Sequence, residues 1–202
     1  MSMSQARQPS PRRLQIADAA LGVIAAQGLG RFTTAAIAAE IGVTDGSLFR
    51  HFASKEEIVL AALDRAEERL FEGFPPDDAL PLSRLERFFR HRAALVREAP
   101  VIARLAFSDE LVHAAGPAGA AQVEGWRARS LTFVAGCLEE ACALGHAPAA
   151  VEPRAVALIV LGALMALSRL AQGAPDLTYA VWAALTTTWG GAADRPEQMG
   201  EP

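Results

Sequence analysis

Residues 33–55 read TTAAIAAEIGVTDGSLFRHFASK, and this order of residue types predicts two short helices joined by a tight turn. Thr33 and Thr34 favour a helix start, because a Thr hydroxyl accepts a hydrogen bond from a first-turn N–H. Apolar residues then recur at helical spacing as far as Gly42, where a glycine closes a helix at positive φ without a Cβ clash. Thr44 is expected to cap the second helix, with Asp45 in its first turn, where negative charge suits the helix dipole.

Two helices of about two turns, joined by a turn that contains glycine, form a helix-turn-helix. In that motif the second helix enters the major groove of DNA with its N-terminal residues towards the base edges. Leu48 and Phe52 lie four residues apart and are expected to face the core. The second helix is therefore predicted to present its remaining side chains outward, with Phe49 near the border: Gly46, Ser47, Arg50 and His51.

The joint pattern of this stretch resembles the DNA-binding signature of TetR-family transcriptional regulators. It reads T-T-x-x-I-A-x-x-I-G-V-T-x-G-S-L-F-x-H-F-x-S-K-E-E. Each element alone is common, but their joint spacing is specific. The resemblance runs from about residue 13 to residue 63, a quarter of the chain. It implies an all-α fold with a DNA-binding head and a helical body that binds small molecules and dimerises.

The charge distribution agrees with a DNA-binding head, although the formal net charge of the chain is −4. Residues 1–55 hold six basic and three acidic residues, a net +3, while the remainder holds 13 basic and 20 acidic residues, a net −7. Attraction to phosphate is therefore expected at the end that carries the motif.

Carried over position by position, the resemblance implies a set of DNA contacts. Thr34 and Thr44 are expected to bind phosphate, or to act as caps alone. Asp45 can accept from cytosine N4 but repels phosphate, so it would discriminate between bases. Phe49 stands where the family more often has Tyr and lacks the phosphate-binding hydroxyl. The full predicted set is Thr34, Thr44, Asp45, Gly46, Ser47, Phe49, Arg50, His51 and Lys55.

The chain is predicted to contain about nine helices and no strands, because no alternating β-branched runs occur. Ser10 and Pro11 mark the first helix start. Three arginines lie close to this helix start, and they belong either to an arm that reaches DNA or to a solvated tail: Arg7, Arg12 and Arg13. The expected domains are a disordered arm 1–9, a head 10–55, a linking helix 55–72 opened by a Ser54–Glu57 capping box, a body 73–190 after a Gly/Pro break, and a disordered tail 191–202.

The body is expected to hold helices over 81–98, from Pro100, over 120–144, over 153–172 and from Asp176, with a loop at Gly116–Pro117. The helix 153–172 is apolar nearly all round, which predicts burial on all sides. The resemblance implies that helices 153–172 and 176–190 form a homodimer interface. A two-fold dimer presents two recognition helices, so the operator in double-stranded DNA is expected to be a palindrome.

The resemblance also implies an effector pocket in the body for a small molecule of unknown identity. The candidate wall residues are Phe88, Arg92, Phe107, Leu111, Trp126 and Phe133. The alternative for each of these residues is an ordinary place in the core.

No catalytic, cofactor or metal site is predicted. Glu110 and His113 have E-x-x-H spacing, but a carboxylate-bridged site needs a second such pair. Cys137 and Cys142 are expected to be a reduced pair. No secretory signal is visible, and the longest apolar run, 155–167, is too short to span a bilayer, so no membrane association and a cytoplasmic location are expected.

The resulting hypothesis is a cytoplasmic, homodimeric, ligand-responsive repressor, not an enzyme, that a small molecule releases from its operator. Two alternatives stay open. The first is a DNA-binding protein of the same fold without a small ligand. The second is a helical binding protein or enzyme whose head has lost DNA function.

Overall fold

The computed structural model describes residues 10–107, 111–148, 152–170 and 175–188, without the side chains of 29, 104, 107, 111–114 and 188. The arm 1–9 and the tail 191–202 lie outside the described residues. Nine α-helices and no strand occur in the described part of the chain, which confirms the all-α prediction. They are α1 Pro11–Gln27, α2 Thr34–Glu40, α3 Asp45–Leu48, α4 Lys55–Leu70, α5 Pro81–Glu98, α6 Pro100–Phe107, α7 Leu111–Ala143, α8 Pro153–Ser168 and α9 Thr178–Thr188, with a 3₁₀ turn Leu29–Arg31 after α1.

Two helices differ from the sequence expectation. The predicted loop at Gly116–Pro117 is a break inside α7, where only Gly116 leaves helical geometry, at φ 60° and ψ −166°. The predicted interruption is therefore present, but helical segments of α7 lie directly on both sides of Gly116, and Leu111 belongs to the segment before it. Helix α8 ends at Ser168 and not at 172, with Arg169 as its C-cap.

The chain divides into two compact units. Unit 1 comprises 1–72 together with 104–126, and unit 2 comprises 73–103 together with 127–202. The first boundary falls at the predicted Gly/Pro break, whereas 104–126 groups with the N-terminal residues. Helix α7 contributes its first half to unit 1 and its second half to unit 2.

Unit 1 is built on the packing of α1 against α4. Ser10 caps α1 through a hydrogen bond that its hydroxyl accepts from the Arg13 N–H at 3.4 Å, and Pro11 occupies the first turn. Both helices bury an apolar stripe, and each large side chain buried in this way contributes roughly 1.5–3 kcal/mol. The largest of these buried side chains are Ile16, Leu21, Ile24, Ile58 and Leu63.

The first half of α7 is fastened to α4 within unit 1. The Gln122 side chain donates to Asp64 Oδ1 at 2.8 Å and to Glu67 Oε2 at 3.0 Å. An added Cβ at Gly119 would stand 2.2 Å from the Ala115 Cβ and 3.1 Å from the Leu63 side chain of α4, so a side chain at this position would clash.

Unit 2 has a core formed by α5, the second half of α7, α8 and α9. The rings of Phe89 and Trp182 lie 5.3 Å apart at its centre. The bounds of α5 coincide with the prediction of 81–98. Cys137 and Cys142, both on α7, are free thiols, and burial raises the pKa of the Cys137 thiol.

Within a single chain, α8 is not buried on all sides. Ala157, Val160 and Leu164 are buried, but Leu158 is 62% exposed and Ile159 is 54% exposed. The prediction that α8 is buried on all sides is therefore wrong for the single chain. No helix in the described ranges has the length and apolar character needed to cross a bilayer.

Candidate nucleic-acid interface and effector cluster

Helix α2 and the turn after it form as the sequence predicts. The Thr33 hydroxyl accepts from the Ala36 N–H at 3.1 Å, so Thr33 rather than Thr34 is the cap. Gly42 adopts φ 67°, a conformation that side-chain-bearing residues rarely adopt. The Val43 N–H then donates to the Ala38 carbonyl at 2.9 Å, which closes the end of α2.

Helix α3 is shorter than expected, with four residues in place of about two turns. Thr44 occupies the N-cap position, but its side chain makes no capping hydrogen bond. The Thr44 carbonyl instead accepts from both the N–H and the hydroxyl of Ser47, at 2.9 and 2.8 Å. The exposed Thr44 hydroxyl is therefore available to donate to an external acceptor such as a phosphate oxygen.

The nine predicted DNA-contacting residues lie within one short span of the chain around α3. Leu48 and Phe52 are buried as predicted and anchor this span. Phe49 is 46% exposed although it is large and apolar. Three of the nine residues are half-buried, namely Thr34, Ser47 and His51. The other six are exposed, namely Thr44, Asp45, Gly46, Phe49, Arg50 and Lys55.

Arg13 holds the turn that follows α3. Its guanidinium donates to the His51 carbonyl and to Glu57 Oε1, the latter at 2.7 Å. It also lies 4.0 Å from the centre of the Phe52 ring. The sequence reading placed Arg13 in an arm that reaches DNA or solvent, but the structure places it in α1 with all of these partners inside unit 1. We call Arg13, His51, Phe52 and Glu57 the clamp.

Glu57 completes the clamp from α4. Half of the predicted capping box forms as expected, since the Ser54 hydroxyl accepts from the Glu57 N–H at 3.1 Å. In the other half, Glu57 Oε2 accepts from the N–H of Ala53, the residue before the N-cap, at 2.6 Å. The hydrogen bond from Ala53, followed by that from Arg13, lowers the pKa of Glu57. The start of α4 is thereby tied to the end of the turn that carries Arg50.

Lys55 is positioned by a contact outside the clamp. Its ammonium lies 5.2 Å from the centre of the buried Phe32 ring, and the side chain remains exposed. A cation held over a ring at the surface keeps its charge in water, where it can also approach phosphate.

A second candidate site lies in unit 2, where three phenylalanine rings meet. Phe133 stands 4.8 Å from Phe74 and 5.3 Å from Phe88, measured between ring centres, and Phe74 stands 6.1 Å from Phe88. We call Phe74, Phe88 and Phe133 the ring cluster. It joins the segment before α5, α5 itself and the second half of α7.

Two guanidinium groups lie against the ring cluster. Arg92 is only 4% exposed, and its Cζ lies 5.1 Å from the Phe88 ring centre and 6.0 Å from that of Phe74. Arg129 is exposed, and its Cζ lies 4.8 Å from the Phe74 ring centre. Burial, followed by the positive charge of Arg129, lowers the pKa of Arg92 to about 9. Arg92 therefore remains a cation at neutral pH in an aromatic environment.

The structure brings together three of the six predicted effector-pocket residues, namely Phe88, Arg92 and Phe133. Trp126 is buried in unit 1, and its indole N–H has no hydrogen-bond partner among the described residues. The side chains of Phe107 and Leu111 lie outside the description, as do Glu110 and the His113 side chain.

The sequence reading missed two members of this site. Phe74 is an aromatic residue inside a Gly/Pro break, which is an unusual place for one. Arg129 precedes Phe133 by four residues and so shares its helix face. Phe133 also lines an open pocket of about 680 Å³ between the segment 75–78 and α7.

A family match covers the part of the chain that holds the helix-turn-helix. Residues 16–62 match the model of bacterial regulatory proteins of the tetR family. Over 77 residues, which are 38% of this chain and 36% of the relative, the chain is 38% identical to the HTH-type transcriptional regulator SrpR of Pseudomonas putida. The chain spans between about a quarter and three fifths of the length of the curated relatives it matches.

Solved structures match over nearly the whole chain. The ketosteroid transcriptional regulator KstR2 of Mycobacterium tuberculosis is 23% identical, with 91% of this chain and 96% of that chain covered and a TM-score of 0.69. AibR, solved in complex with isovaleryl coenzyme A and operator DNA, is 20% identical, with 87% and 97% covered and a TM-score of 0.71. At these identities the likeness shows a shared fold.

Proposed function

We propose that the chain is a TetR-family transcriptional regulator, as the family match of residues 16–62 indicates, and that it binds operator DNA through α3 and the residues around it. The observation that carries this proposal is the exposed set on and beside α3, which includes Arg50 and Lys55 and rests on buried Leu48 and Phe52. The family consists of regulatory proteins, in agreement with the expectation of a regulator rather than an enzyme.

Each predicted contact has a chemical role in this proposal. Arg50 and Lys55 supply the positive charge that phosphate attracts, and Thr44 donates a hydroxyl hydrogen bond at the start of α3. Exposed Phe49 packs on sugar or on a thymine methyl group. Asp45 selects cytosine N4 and disfavours binding in other registers.

The active form in this proposal is a cytoplasmic homodimer on a palindromic operator. The exposed apolar face of α8 supports it, because Leu158, Ile159 and Met165 lie in water in the single chain. A two-fold axis through this face would bury the same patch on both subunits. Helix α9 would complete the interface through Tyr179, which is 70% exposed.

A small molecule is proposed to release the repressor from its operator. AibR, which shares the fold, was solved with isovaleryl coenzyme A and operator DNA, and Phe133 of the ring cluster lines the open pocket of about 680 Å³ in this chain. A loss of DNA affinity of ten- to hundredfold requires a coupling free energy of about 1.4–2.8 kcal/mol between the two sites. The ligand must bind the two conformations of the protein with affinities that differ by this amount.

The test is selection of bound sequences from random duplex DNA, followed by a salt titration on the selected site. The expected result is a palindromic site whose affinity falls steeply with salt. The double variant Arg50→Ala, Lys55→Ala should bind more weakly with a shallower salt slope, while the control Arg87→Ala, an exposed residue of α5, should match the wild type.

Unchanged affinity and salt slope in the double variant would mean that the head has lost DNA function and that the chain is a helical binding protein. Enrichment that appears only after refolding from denaturant would indicate an inducer carried through purification. A thermal-shift screen distinguishes a ligand-responsive regulator from one without a small ligand, because a bound ligand raises the melting temperature by mass action.

A further inference from the structure

We propose that Arg31, which is not among the nine predicted DNA contacts, binds a backbone phosphate of the operator next to the phosphate that Lys55 binds. The inference rests on the proposed function, because it needs a bound duplex. It goes beyond the proposed function by extending the DNA interface to the 3₁₀ turn Leu29–Arg31, which lies before α2.

Arg31 stands at the surface of a segment that is anchored on both sides. Before the turn, Gly28 ends α1 at φ 77°, and its N–H donates to the Ile24 carbonyl at 2.9 Å. After the turn, Phe32 is buried, whereas Arg31 itself is exposed. The backbone at Arg31 is therefore already ordered, so only side-chain freedom is lost when the guanidinium binds an anion.

The Phe32 ring connects Arg31 with Lys55. The Lys55 ammonium lies 5.2 Å from the centre of this ring, and Arg31 is the chain neighbour of Phe32. Two exposed cations from distant parts of the chain therefore flank one buried ring. Duplex DNA carries one negative charge per about 1.7 Å of its axis, so a duplex that reaches Lys55 also offers a separate phosphate to Arg31.

The charges around the two cations favour an anionic partner. Among the described side chains, neither Arg31 nor Lys55 forms an ion pair. Arg31 is the sole charged residue in 28–39, and the segment 46–55 contains no acidic residue. The positive charge of this surface is therefore not neutralised by its own segments and is available to phosphate.

The turn also leaves room for the DNA backbone. Gly30 is exposed, and an added Cβ at this position would meet no atom of the described chain within 4 Å. A residue without a side chain next to Arg31 allows the sugar–phosphate backbone to come close. The same open space accepts a small acidic side chain without a clash, which provides a second way to test the contact.

The experiment measures DNA affinity of the full chain by fluorescence anisotropy from about 50 to about 200 mM salt, a range over which phosphate contacts change affinity strongly. The duplexes are the selected palindrome and a scrambled sequence. The variants are Arg31→Met, which removes the charge, and Arg31→Lys, which keeps it. The control Arg69→Met removes an exposed arginine about 21 Å further along α4 from Lys55. Gly30→Asp adds a carboxylate beside Arg31, and its control Gly30→Ala adds only a methyl group.

Arg31→Met is expected to make the slope of log K against log salt shallower by about 0.9 per half-site, hence by about 1.8 for a dimer on a palindrome. The ratio of wild-type to variant affinity should then fall about twelvefold over the fourfold rise in salt. Arg31→Lys and Arg69→Met should keep the wild-type slope. Gly30→Asp should bind DNA more weakly than Gly30→Ala. Arg31→Met should keep the wild-type melting temperature, because Arg31 is exposed.

The change of slope should be the same on the palindrome and on the scrambled duplex, because phosphate contacts carry no sequence information. A wild-type slope in Arg31→Met, or an equal change in Arg31→Lys, would overturn the inference. A change of the same size in Arg69→Met would assign the effect to net charge and would overturn it as well. A loss confined to the palindrome would make Arg31 a base contact and would also contradict the proposal.

The double variant Arg50→Ala, Lys55→Ala is measured in parallel and separates the two levels of the argument. If the double variant has a shallower slope and Arg31→Met does not, this inference is wrong while the proposed function stands. If no duplex is bound, or if neither the double variant nor Arg31→Met changes the slope, the proposed function fails and the inference fails with it.

Discussion

The substitution Arg13→Met is expected to lower the free energy of unfolding by about 2 kcal/mol, because it removes three interactions of the clamp while the apolar stem remains. The ion pair with Glu57 is more than a third exposed at Glu57, so solvent screening limits it to about 0.5–1 kcal/mol. The hydrogen bond to the His51 carbonyl contributes about 1 kcal/mol. The guanidinium over the Phe52 ring contributes about 0.5 kcal/mol.

The assay is thermal unfolding followed by circular dichroism at a fixed protein concentration, because association makes the midpoint depend on concentration. For a chain of this length, about 2 kcal/mol corresponds to a fall of about 4–8 °C in Tm. The matched control is Arg12→Met, the neighbouring arginine, whose side chain bonds to exposed Gln15 one turn later. We expect its Tm to equal that of the wild type.

The same variant separates positioning from direct DNA contact. Since the guanidinium of Arg13 is engaged by His51 and Glu57 inside unit 1, Arg13→Met should weaken operator binding while the slope of log K against log salt stays unchanged. A shallower slope would show that Arg13 neutralises a phosphate and would refute the clamp as a positioning device. A Tm equal to that of the control would refute its energetic role.

Acid pH gives a further check on the clamp. The pKa of Glu57 is lowered in the folded chain, so its contribution to stability is present above the unfolded pKa of about 4.3 and is lost as pH falls through the folded value. The difference in stability between wild type and Glu57→Gln should therefore be constant near neutral pH and shrink below about pH 4.3. A difference that grows with acidity would contradict this assignment.

Three more outcomes are expected. Gly116→Ala should destabilise the chain by about 1–3 kcal/mol, because the backbone conformation of Gly116 is rarely adopted by any other residue. The control Gly125→Ala should stabilise the chain by about 0.5–1 kcal/mol, since no atom lies within 4 Å of an added Cβ. Equal melting temperatures of the two variants would contradict this prediction. Leu158→Glu should be a folded monomer by light scattering. The control Leu144→Glu, which changes a similarly exposed leucine after α7, should remain a dimer at the same concentration. A dimeric Leu158→Glu would argue against the α8 interface. Phe49→Ala should change the unfolding free energy by less than about 0.5 kcal/mol yet weaken operator binding, and unchanged binding would remove Phe49 from the interface.

The local features of the head could be predicted because they depend on residues a few positions apart. The Thr33 cap, the glycine at positive φ in the turn and the hydrogen bond between Ser54 and Glu57 all form within four residues. The length of α3 was overestimated, because the sequence does not reveal that the backbone changes to a turn after Leu48. The interruption at Gly116 was predicted correctly, but it consists of one residue outside helical geometry and not of a longer loop.

Capping, glycine conformation and apolar periodicity act over a single turn, so the sequence was sufficient to predict the helix-turn-helix and about nine helices, the number found in the described residues. The role of Arg13 in the clamp could not be predicted from the sequence, since its partners lie 38 and 44 residues away. The tertiary structure alone decided that Arg92 and Arg129 share the ring of Phe74, because three separate segments meet there. Burial and charge pairing depend on which distant segments pack together, and helical periodicity carries no information about that choice.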